Sequence, residues 1–219
     1  MRWGDFARKQ GIQYFKTMNI AGVATRERLI ETAKELFLTK GVDRVSVRDI
    51  AAKAGIALSA MNYHFHSKEM LFEEIFEQLI IKRANALKQI LDSDMPIEEK
   101  IREYVYGHID LLVEDQLLVS FVLSVIYRNS DNIASMRSIE KLYNSEIFSE
   151  QLRKEIRRGG IQPVNPEQFY VSMISLVFFP FSIKPLIAER HGLDEAATKQ
   201  FLSERKEMVY NMLMASLKK

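Results

Sequence analysis

The sequence predicts an all-α protein of about nine helices, with a small N-terminal domain followed by a larger C-terminal one. Glycine and proline number only 9 and 5 among 219 residues, while Leu, Ile, Glu, Lys, Ala and Met are frequent. These frequent residues favour helices, and apolar positions recur at helical spacing along most of the chain. The chain contains no cysteine, which excludes disulfides and thiolate metal sites.

The net charge of +2 is unevenly distributed along the chain. Residues 1–68 contain twelve Lys and Arg against six Asp and Glu, whereas residues 69–219 contain nineteen against twenty-three. A basic end on a nearly neutral protein indicates an anionic partner for that end alone. Charge by itself is equally compatible with an ordinary solvated surface.

The sequence predicts neither export nor membrane insertion. The first residues, MRWGDFARKQG, lack the apolar run of a secretory signal. The most apolar stretch, residues 169–187, contains Pro180, Lys184, Pro185 and serines, so a buried helix is favoured over a membrane span. We expect a cytoplasmic protein without a membrane partner.

The first helix is predicted between Thr25, a suitable N-cap, and Gly41, a suitable residue just beyond the C-terminus. Its buried face is marked by residues at i, i+4, i+7 and i+8 spacing. These residues are Leu29, Ala33, Leu36 and Phe37.

Two short helices are predicted next. Ser46 and Asp49 form a capping-box pattern that begins the first of them, and Gly55 ends it. Met61 and Phe65, four residues apart, anchor the second. Two short helices joined by a tight glycine-containing turn and braced by a longer helix make a helix-turn-helix. The second helix of the pair is then the recognition helix, which enters the major groove of DNA.

The helical period assigns the outward side chains of this recognition helix. With Met61 at the centre of the buried face and about 100° per residue, Ser59 and Tyr63 point outward. Ala60 and Asn62 flank them, and Leu58 and His64 lie near the edges of the buried face.

The outward residue types suit DNA. An Arg48 guanidinium can read guanine, and an Asn62 amide can read adenine. Tyr63 offers a ring to a thymine methyl and a hydroxyl to a phosphate, while His64 and Ser59 can donate to phosphates. Lys68, in the first turn after a Ser67 cap, would meet a phosphate beside free backbone N–H groups.

The stretch TRERLIETAKELFLTKGVDRVSVRDIAAKAGIALSAMNYHFHSKEMLFEEIFEQLI, residues 25–80, resembles the N-terminal DNA-binding domain of the TetR family of transcriptional regulators. The resemblance includes IETAKELFLTKG, SVRDIAAKAG and NYHFHSKEML. It implies DNA contacts at the following positions: Ser46, Arg48, Ser59, Ala60, Asn62, Tyr63, His64 and Lys68. Two departures are Ala57, where the family often has a capping Ser, Thr or Asn, and Leu58, which can read bases only through apolar contact.

The remaining sequence predicts further helices. One long helix runs from Lys68 to Leu91, another follows Pro96, and QLLVSFVLSVIY is apolar on all sides, as in a central buried helix. A long amphipathic helix is predicted over Asp131–Arg158. The last two helices are predicted over Asn165–His191, bent at its prolines, and from an Asp194 cap to Leu217.

The C-terminal half shows no catalytic pattern, because it lacks a metal-spaced cluster and a glycine-rich phosphate loop. We expect no enzyme, no metal and no cofactor. His108, on an apolar helix face, is either a satisfied core residue or part of a ligand cavity. The resemblance implies such a cavity, and an aromatic wall with a few polar groups suits a small, largely apolar effector. The candidate lining residues are Tyr104, His108, Phe121, Ser124, Tyr127, Phe148 and Phe178.

The leading interpretation is a homodimeric regulator, expected to be a repressor, that binds a palindromic operator. Its apolar C-terminal helices indicate more apolar surface than a monomer hides, and the resemblance implies that the last two helices pair with a second subunit. The alternative is a small-molecule-binding or scaffolding protein that uses the helix-turn-helix for protein contacts.

The predicted division is an extension over residues 1–24, a helix-turn-helix DNA-binding domain over 25–70, and a ligand-binding and dimerisation domain over 71–219. The extension has two interpretations. We favour one in which the protein starts at Met18, over one in which the extension is a basic arm that touches DNA.

Overall fold

The structure is a computed structural model that describes residues 22–37, 39–115, 118–126, 139–141, 143–144 and 146–219. Regular structure within these residues is entirely helical, which confirms the all-α prediction. The chain forms two compact units, the first ending at Ile75 and the second beginning at Phe76.

The first unit is a short helical bundle. Helix α1 covers residues 22–37, and a 3₁₀ turn at Val42–Arg44 follows. The next helices are α2 (Val47–Ala54), α3 (Leu58–His64) and α4 (Lys68–Phe76). The residues predicted for the inner faces are all buried, and they are Leu29, Ala33, Leu36, Phe37, Ile50, Ala51, Ala54, Met61 and Phe65.

The second unit begins within a continuing helix. A π-helical segment at Glu77–Ile81 leads from α4 into α5 (Lys82–Asp92). The helices that follow are α6 (Ile97–Glu114), α7 (Leu118–Ile126), α8 (Glu146–Arg157), α9 (Pro166–Ser182), α10 (Lys184–His191), α11 (Glu195–Ser203) and α12 (Arg205–Leu217).

Helix α6 forms the centre of the second unit, since it packs against α5, α9, α11 and α12. A Cβ added at Gly107 would lie 3.0 Å from Cδ2 of Leu87, so glycine allows the close approach of α5 and α6. The expectation that QLLVSFVLSVIY forms the central helix is corrected. The described part of α7 buries Leu118 and Val119 at its start and leaves Ile126 exposed at its end.

Lys100 is a buried charge in this unit, with no exposed surface. Its Nζ donates to the carbonyl oxygen of Leu91 at 2.8 Å, near the C-terminus of α5, where helix carbonyls lack intrahelical partners. Burial lowers the pKa of Lys100, against the opposing effect of Asp92 and Asp94.

Three of the long predicted helices are interrupted. The first is the helix predicted over Asp131–Arg158, of which residues 131–138 lie outside the described part of the chain. Its later part is broken at Asn144, whose Oδ1 accepts from the N–H of Glu146 at 3.1 Å. The Asn165–His191 helix bends by 59° between α9 and α10, because Pro185 at the start of α10 cannot continue the ladder of α9. The last predicted helix breaks at Glu204 into α11 and α12.

Within the described residues, no single helix is long and apolar enough to cross a membrane, although the bent pair α9 and α10 passes that test of length and composition together.

Candidate functional site

The start of helix α2 is fixed by its own side chains. The N–H of Asp49 donates to Oγ of Ser46 at 3.2 Å, and the N–H of Ser46 donates back to Oδ2 of Asp49 at 2.8 Å. This reciprocal pair is the predicted capping box. The hydrogen bonds from Ser46 lower the pKa of the Asp49 carboxyl. The hydroxyl of Ser46 also donates to Asp49, at 2.6 Å, so its first role is to begin α2.

The turn before α3 contains the expected glycine but lacks a side-chain N-cap. Gly55 ends α2 with φ of 64°, in the left-handed region where glycine carries no steric penalty. Ala57 is the N-cap of α3 and provides no side-chain hydrogen bond. The sequence departure at residue 57 therefore leaves the helix start uncapped by its own side chain.

Helix α3 presents the predicted polar face. Met61 is fully buried, whereas Tyr63 is 79% exposed, the most exposed large apolar or aromatic side chain described. Ser59 and Asn62 are also exposed, and Ala60 and His64 are half-buried beside them. Leu58 stands at the edge with 36% exposure. The rings of Tyr63 and His64 meet edge to face with centroids 5.3 Å apart.

Arg48 and Lys68 differ in whether their charged groups have a partner within the described residues. Arg48 is exposed on α2 and has no ion-pair partner in the part of the chain that the structure describes. The Nζ of Lys68 donates to the carbonyl oxygen of Val42 at 3.1 Å, which holds the ammonium against the 3₁₀ turn. An ammonium has three donors, so this bond leaves others for a phosphate. Ser67 Oγ accepts from the N–H of Met70 at 3.1 Å, as predicted for the cap of α4.

Other cations of this unit support the fold. Arg26 forms an ion pair with Glu74 and lies 5.2 Å from the ring centroid of Phe65, joining α1 to α4. Lys53 pairs with Glu35 at 2.5 Å. Some positive charges of the N-terminal end are thus neutralised by ion pairs within the first unit, which counts of charged residues alone did not reveal.

The second unit contains a largely apolar cavity of about 340 Å³. Its polar lining residues are Lys88, Tyr104, His108, Tyr143 and Tyr170. Its apolar lining residues are Ala84, Leu87, Leu91, Leu111, Leu112, Leu118, Val122, Leu123, Ile126, Ile139, Ile174 and Phe178.

Three of the predicted lining residues, Tyr104, His108 and Phe178, line this cavity. Phe148 does not. It is fully buried, with its ring centroid 6.3 Å from that of Phe169, so it belongs to the packing between α8 and α9.

The other predicted positions are not tested by the geometry. Phe121 and Ser124 belong to α7, but their side chains lie outside the described residues, as does Tyr127 entirely. Sequence reasoning missed Tyr170, although the spacing of Tyr170, Ile174 and Phe178 is a helical i, i+4, i+8 pattern that was available.

The polar groups of the cavity are neutral or internally paired. Burial raises the pKa of Tyr104 well above its usual value and that of Tyr170 to about 12, and the two hydroxyls hydrogen-bond to each other. The Nζ of Lys88 pairs with Oδ2 of Asp92 at 2.5 Å. Burial lowers the pKa of His108 to about 4, so its imidazole is neutral near pH 7. The rings of His108 and Tyr104 meet edge to face at 5.3 Å.

Among the described residues, no group of three or more His, Cys, Asp or Glu is arranged to hold a metal ion. The structure therefore presents an exposed polar helix face in one unit and an apolar cavity in the other. An exposed polar face on the second of two short helices joined by a tight turn is typical of one class of protein, the helix-turn-helix DNA-binding proteins.

Comparison with known proteins gives the family. Residues 29–75 match the family described as bacterial regulatory proteins, tetR family. The HTH-type transcriptional repressor KstR2 of Mycolicibacterium smegmatis is 34% identical over 76 residues, which cover 35% of this chain and 37% of that protein. Residues 29–75 therefore form a DNA-binding region of the TetR family of transcriptional regulators, and the chain spans about a third of the length of that relative.

Solved structures agree with this fold. The ketosteroid transcriptional regulator KstR2 of Mycobacterium tuberculosis has a TM-score of 0.68 at 17% identity, with 89% of this chain and 95% of that chain covered. The SmeT–triclosan complex has a TM-score of 0.61 at 18% identity, with 90% and 92% covered.

Proposed function

We propose that the protein is a repressor that binds a palindromic operator as a homodimer and is released by a small, largely apolar effector. The observation that carries the DNA part is the face of α3, where Ser59, Asn62 and Tyr63 are exposed around the buried anchor Met61. Arg48 is exposed on the neighbouring helix. Arg and Asn are the side chains that read guanine and adenine bidentately.

The effector part is supported by the cavity. Its volume of about 340 Å³ lies in the range of about 300–1,000 Å³ that is typical of small-molecule sites. A mostly apolar wall with a few polar groups is also typical of such sites. Two structural neighbours point the same way, since one is named a ketosteroid regulator and the other is a complex with triclosan, and both compounds are largely apolar.

The proposal is tested by selecting an operator from random duplex DNA. We expect a pseudo-palindrome whose half-sites lie roughly 34 Å or a multiple apart. Arg48→Ala or Asn62→Ala should weaken binding by about 1–3 kcal/mol and relax the preference at one base position each. The controls are Arg190→Ala and Asn85→Ala, which remove the same side-chain types from exposed positions in the second unit.

Electrophoretic mobility shifts with the selected duplex and its single-base variants measure both the affinity and the base preference. Selection that yields no enriched duplex overturns the proposal. So does unchanged affinity in Arg48→Ala, Asn62→Ala and Tyr63→Ala together. In either case a helix-turn-helix used for protein contacts would be the better interpretation.

A further inference from the structure

The cavity contains a polar atom with an unmet hydrogen bond. The Nδ1 atom of His108 is buried and, in the part of the chain that the structure describes, has no hydrogen-bond partner. A buried polar atom left unpaired has lost its bonds to water without replacing them, so such atoms usually have a protein, water or ligand partner. His108 lines the cavity, and its unpaired atom therefore marks the place where a bound molecule can supply the missing bond.

The groups around His108 set the charge that this molecule can carry. Lys88 on α5 is neutralised by Asp92, and on α6 and α9 Tyr104 and Tyr170 bond to each other. Tyr143 completes the polar lining. Among the described lining residues no cation is left to balance an anion, and no carboxylate is left to balance a cation. A buried ion without a counter-charge carries a large desolvation cost, so the geometry favours a neutral ligand.

A hydroxyl is the polar group that fits best. Neutral imidazole has one nitrogen that donates and one that accepts, and the neighbours decide which is which. A hydroxyl can both donate and accept, so it satisfies Nδ1 in either tautomer. A carbonyl or ether oxygen can only accept, and it would leave Nδ1 unpaired whenever the proton resides on Nε2.

We propose that the cavity takes a neutral, largely apolar compound with one hydroxyl group, which hydrogen-bonds to Nδ1 of His108. The inference rests on the proposed effector role of the cavity and names the chemistry of the effector. It also makes His108 the residue that distinguishes a hydroxylated compound from its methyl ether.

The test measures binding to the full chain without DNA, by isothermal titration calorimetry at pH 7.5. The probes are 4-octylphenol, its methyl ether 4-octylanisole and the anion 4-octylbenzoate, with the butyl homologues in parallel. Phenols remain neutral at this pH because their pKa is about 10. We expect the phenol to bind about tenfold more tightly than the ether, equivalent to about 1.4 kcal/mol, and more tightly than the benzoate.

The variants assign this preference to His108. His108→Leu should reduce the ratio of ether to phenol dissociation constants to about one, while His108→Gln, which keeps hydrogen-bonding groups, should retain part of it. The control His191→Leu removes an exposed histidine that stacks on Phe201, and it should leave the ratio unchanged.

A second measurement observes the histidine ring nitrogens of the wild-type protein directly and uses a variant only for assignment. The protein has only four histidines, so ¹⁵N-labelled histidine resolves their ring nitrogens by NMR. The phenol should shift the Nδ1 resonance of one histidine, assigned to His108 by its absence in His108→Gln, and the anisole should shift it much less.

The outcomes separate the two proposals. Equal binding of phenol and anisole, with no selective Nδ1 shift, overturns the hydroxyl inference and leaves the cavity as an apolar effector site. Tighter binding of the benzoate overturns the neutral-ligand inference. If no probe of either length binds, the effector role of the cavity is overturned, and this inference falls with it.

Discussion

Burial fixes the charge state of His108, and this has a measurable effect on stability. Its pKa falls from 6.5 to about 4 on folding because the cavity wall disfavours the imidazolium. The unfolded chain therefore binds a proton more readily than the folded chain between these values. The sign follows from linkage: His108 has no effect well above pH 6.5, and it destabilises the fold progressively as the pH falls from 6.5 towards 4.

We therefore expect His108→Gln to lose less stability than the wild type on acidification. Between pH 7.5 and pH 4.5, the free energy of unfolding of the wild type should fall by roughly 2–3 kcal/mol more than that of His108→Gln. This value follows from about 1.36 kcal/mol per unit of pKa shift. Urea unfolding at the two pH values measures it, with the exposed His191→Gln as control. Equal acid sensitivity of wild type and His108→Gln would show that burial does not shift this histidine.

Lys68 gives a second prediction at the residue scale, because its ammonium has both a structural and a proposed DNA contact. Lys68→Ala removes the bond to Val42, and we expect a loss of about 1 kcal/mol in the free energy of unfolding. A phosphate contact carries no sequence information. The variant should thus weaken all duplexes alike and lower the salt slope by about one.

The comparison is Asn62→Ala, which should change sequence preference and leave the salt slope nearly unchanged. Affinity is measured at several salt concentrations for the selected duplex and a scrambled one. Lys82→Ala, at an exposed position on α5, is the control. A Lys68→Ala protein with altered base preference would contradict the phosphate role.

Residue chemistry was predictable where it depends on local spacing. The outward positions of Tyr63 and Asn62 follow from the position of Met61 within one helix, and the structure has them exposed. The bond of Lys68 to Val42 joins residues 26 positions apart. No local pattern in the sequence could reveal such a contact.

At the scale of the element, the two helices of the helix-turn-helix begin differently. Ser46 caps α2 with a reciprocal pair of hydrogen bonds, whereas Ala57 begins α3 with no side-chain bond. Ser46→Ala should lower the free energy of unfolding by about 1 kcal/mol. Ala57→Ser should raise it by about 0.5–1 kcal/mol, because residue 57 already has an extended backbone suited to a cap.

Thermal unfolding followed by circular dichroism measures both changes. Ser216→Ala is a suitable control, because Ser216 lies in α12 and its hydroxyl bonds only to a carbonyl within that helix among the described contacts. Stabilisation by Ala57→Ser within error of zero would mean that the N–H groups at the start of α3 are already satisfied by water.

The beginnings of later helices were easier to predict than their interruptions, whereas the prediction that Thr25 caps the first helix was wrong, because α1 already includes residues 22–24. Asn165 and Asp194 cap α9 and α11 as predicted, since a cap acts on backbone groups three residues away. The break at Glu204 has no glycine or proline beside it. It coincides with a distant contact, in which Nη2 of Arg205 donates to the carbonyl oxygen of Leu176 at 3.2 Å. Tertiary contacts of this kind override local preference.

At the scale of the whole molecule, exposed apolar residues on α9 and α12 support the proposed dimer. These helices pack against each other. Their most exposed apolar side chains are Phe179, Met208 and Met212, at 60%, 56% and 51% exposure. Met208 and Met212 are four residues apart and share one helix face. Exposed apolar side chains that share one helix face are typical of association sites.

We expect Met208→Glu combined with Met212→Glu to give monomers by multi-angle light scattering at micromolar concentration. These monomers should also lose most operator affinity, because a single half-site provides too few contacts. Ile147→Glu, at a position on α8 that is 53% exposed, is the matched control. A double variant that stays dimeric would place the subunit contact elsewhere.

The fold class was predictable from composition and from helical spacing along most of the chain, and the TetR-type region was predictable from motifs within residues 25–80. The identity of the residues that line the cavity was only partly predictable. His108 and Phe148 both lie on apolar helix faces, yet one lines the cavity and the other is core. The difference depends on how α5, α6, α7 and α9 meet, which periodicity within one helix does not specify.

The neutral lining of the cavity has a consequence for how a signal could reach the protein. The interior of a lipid bilayer disfavours ions for the same reason as this cavity, since both withdraw the charge from water without a counter-ion. A compound selected by the cavity would therefore also be one that diffuses across membranes without a transporter.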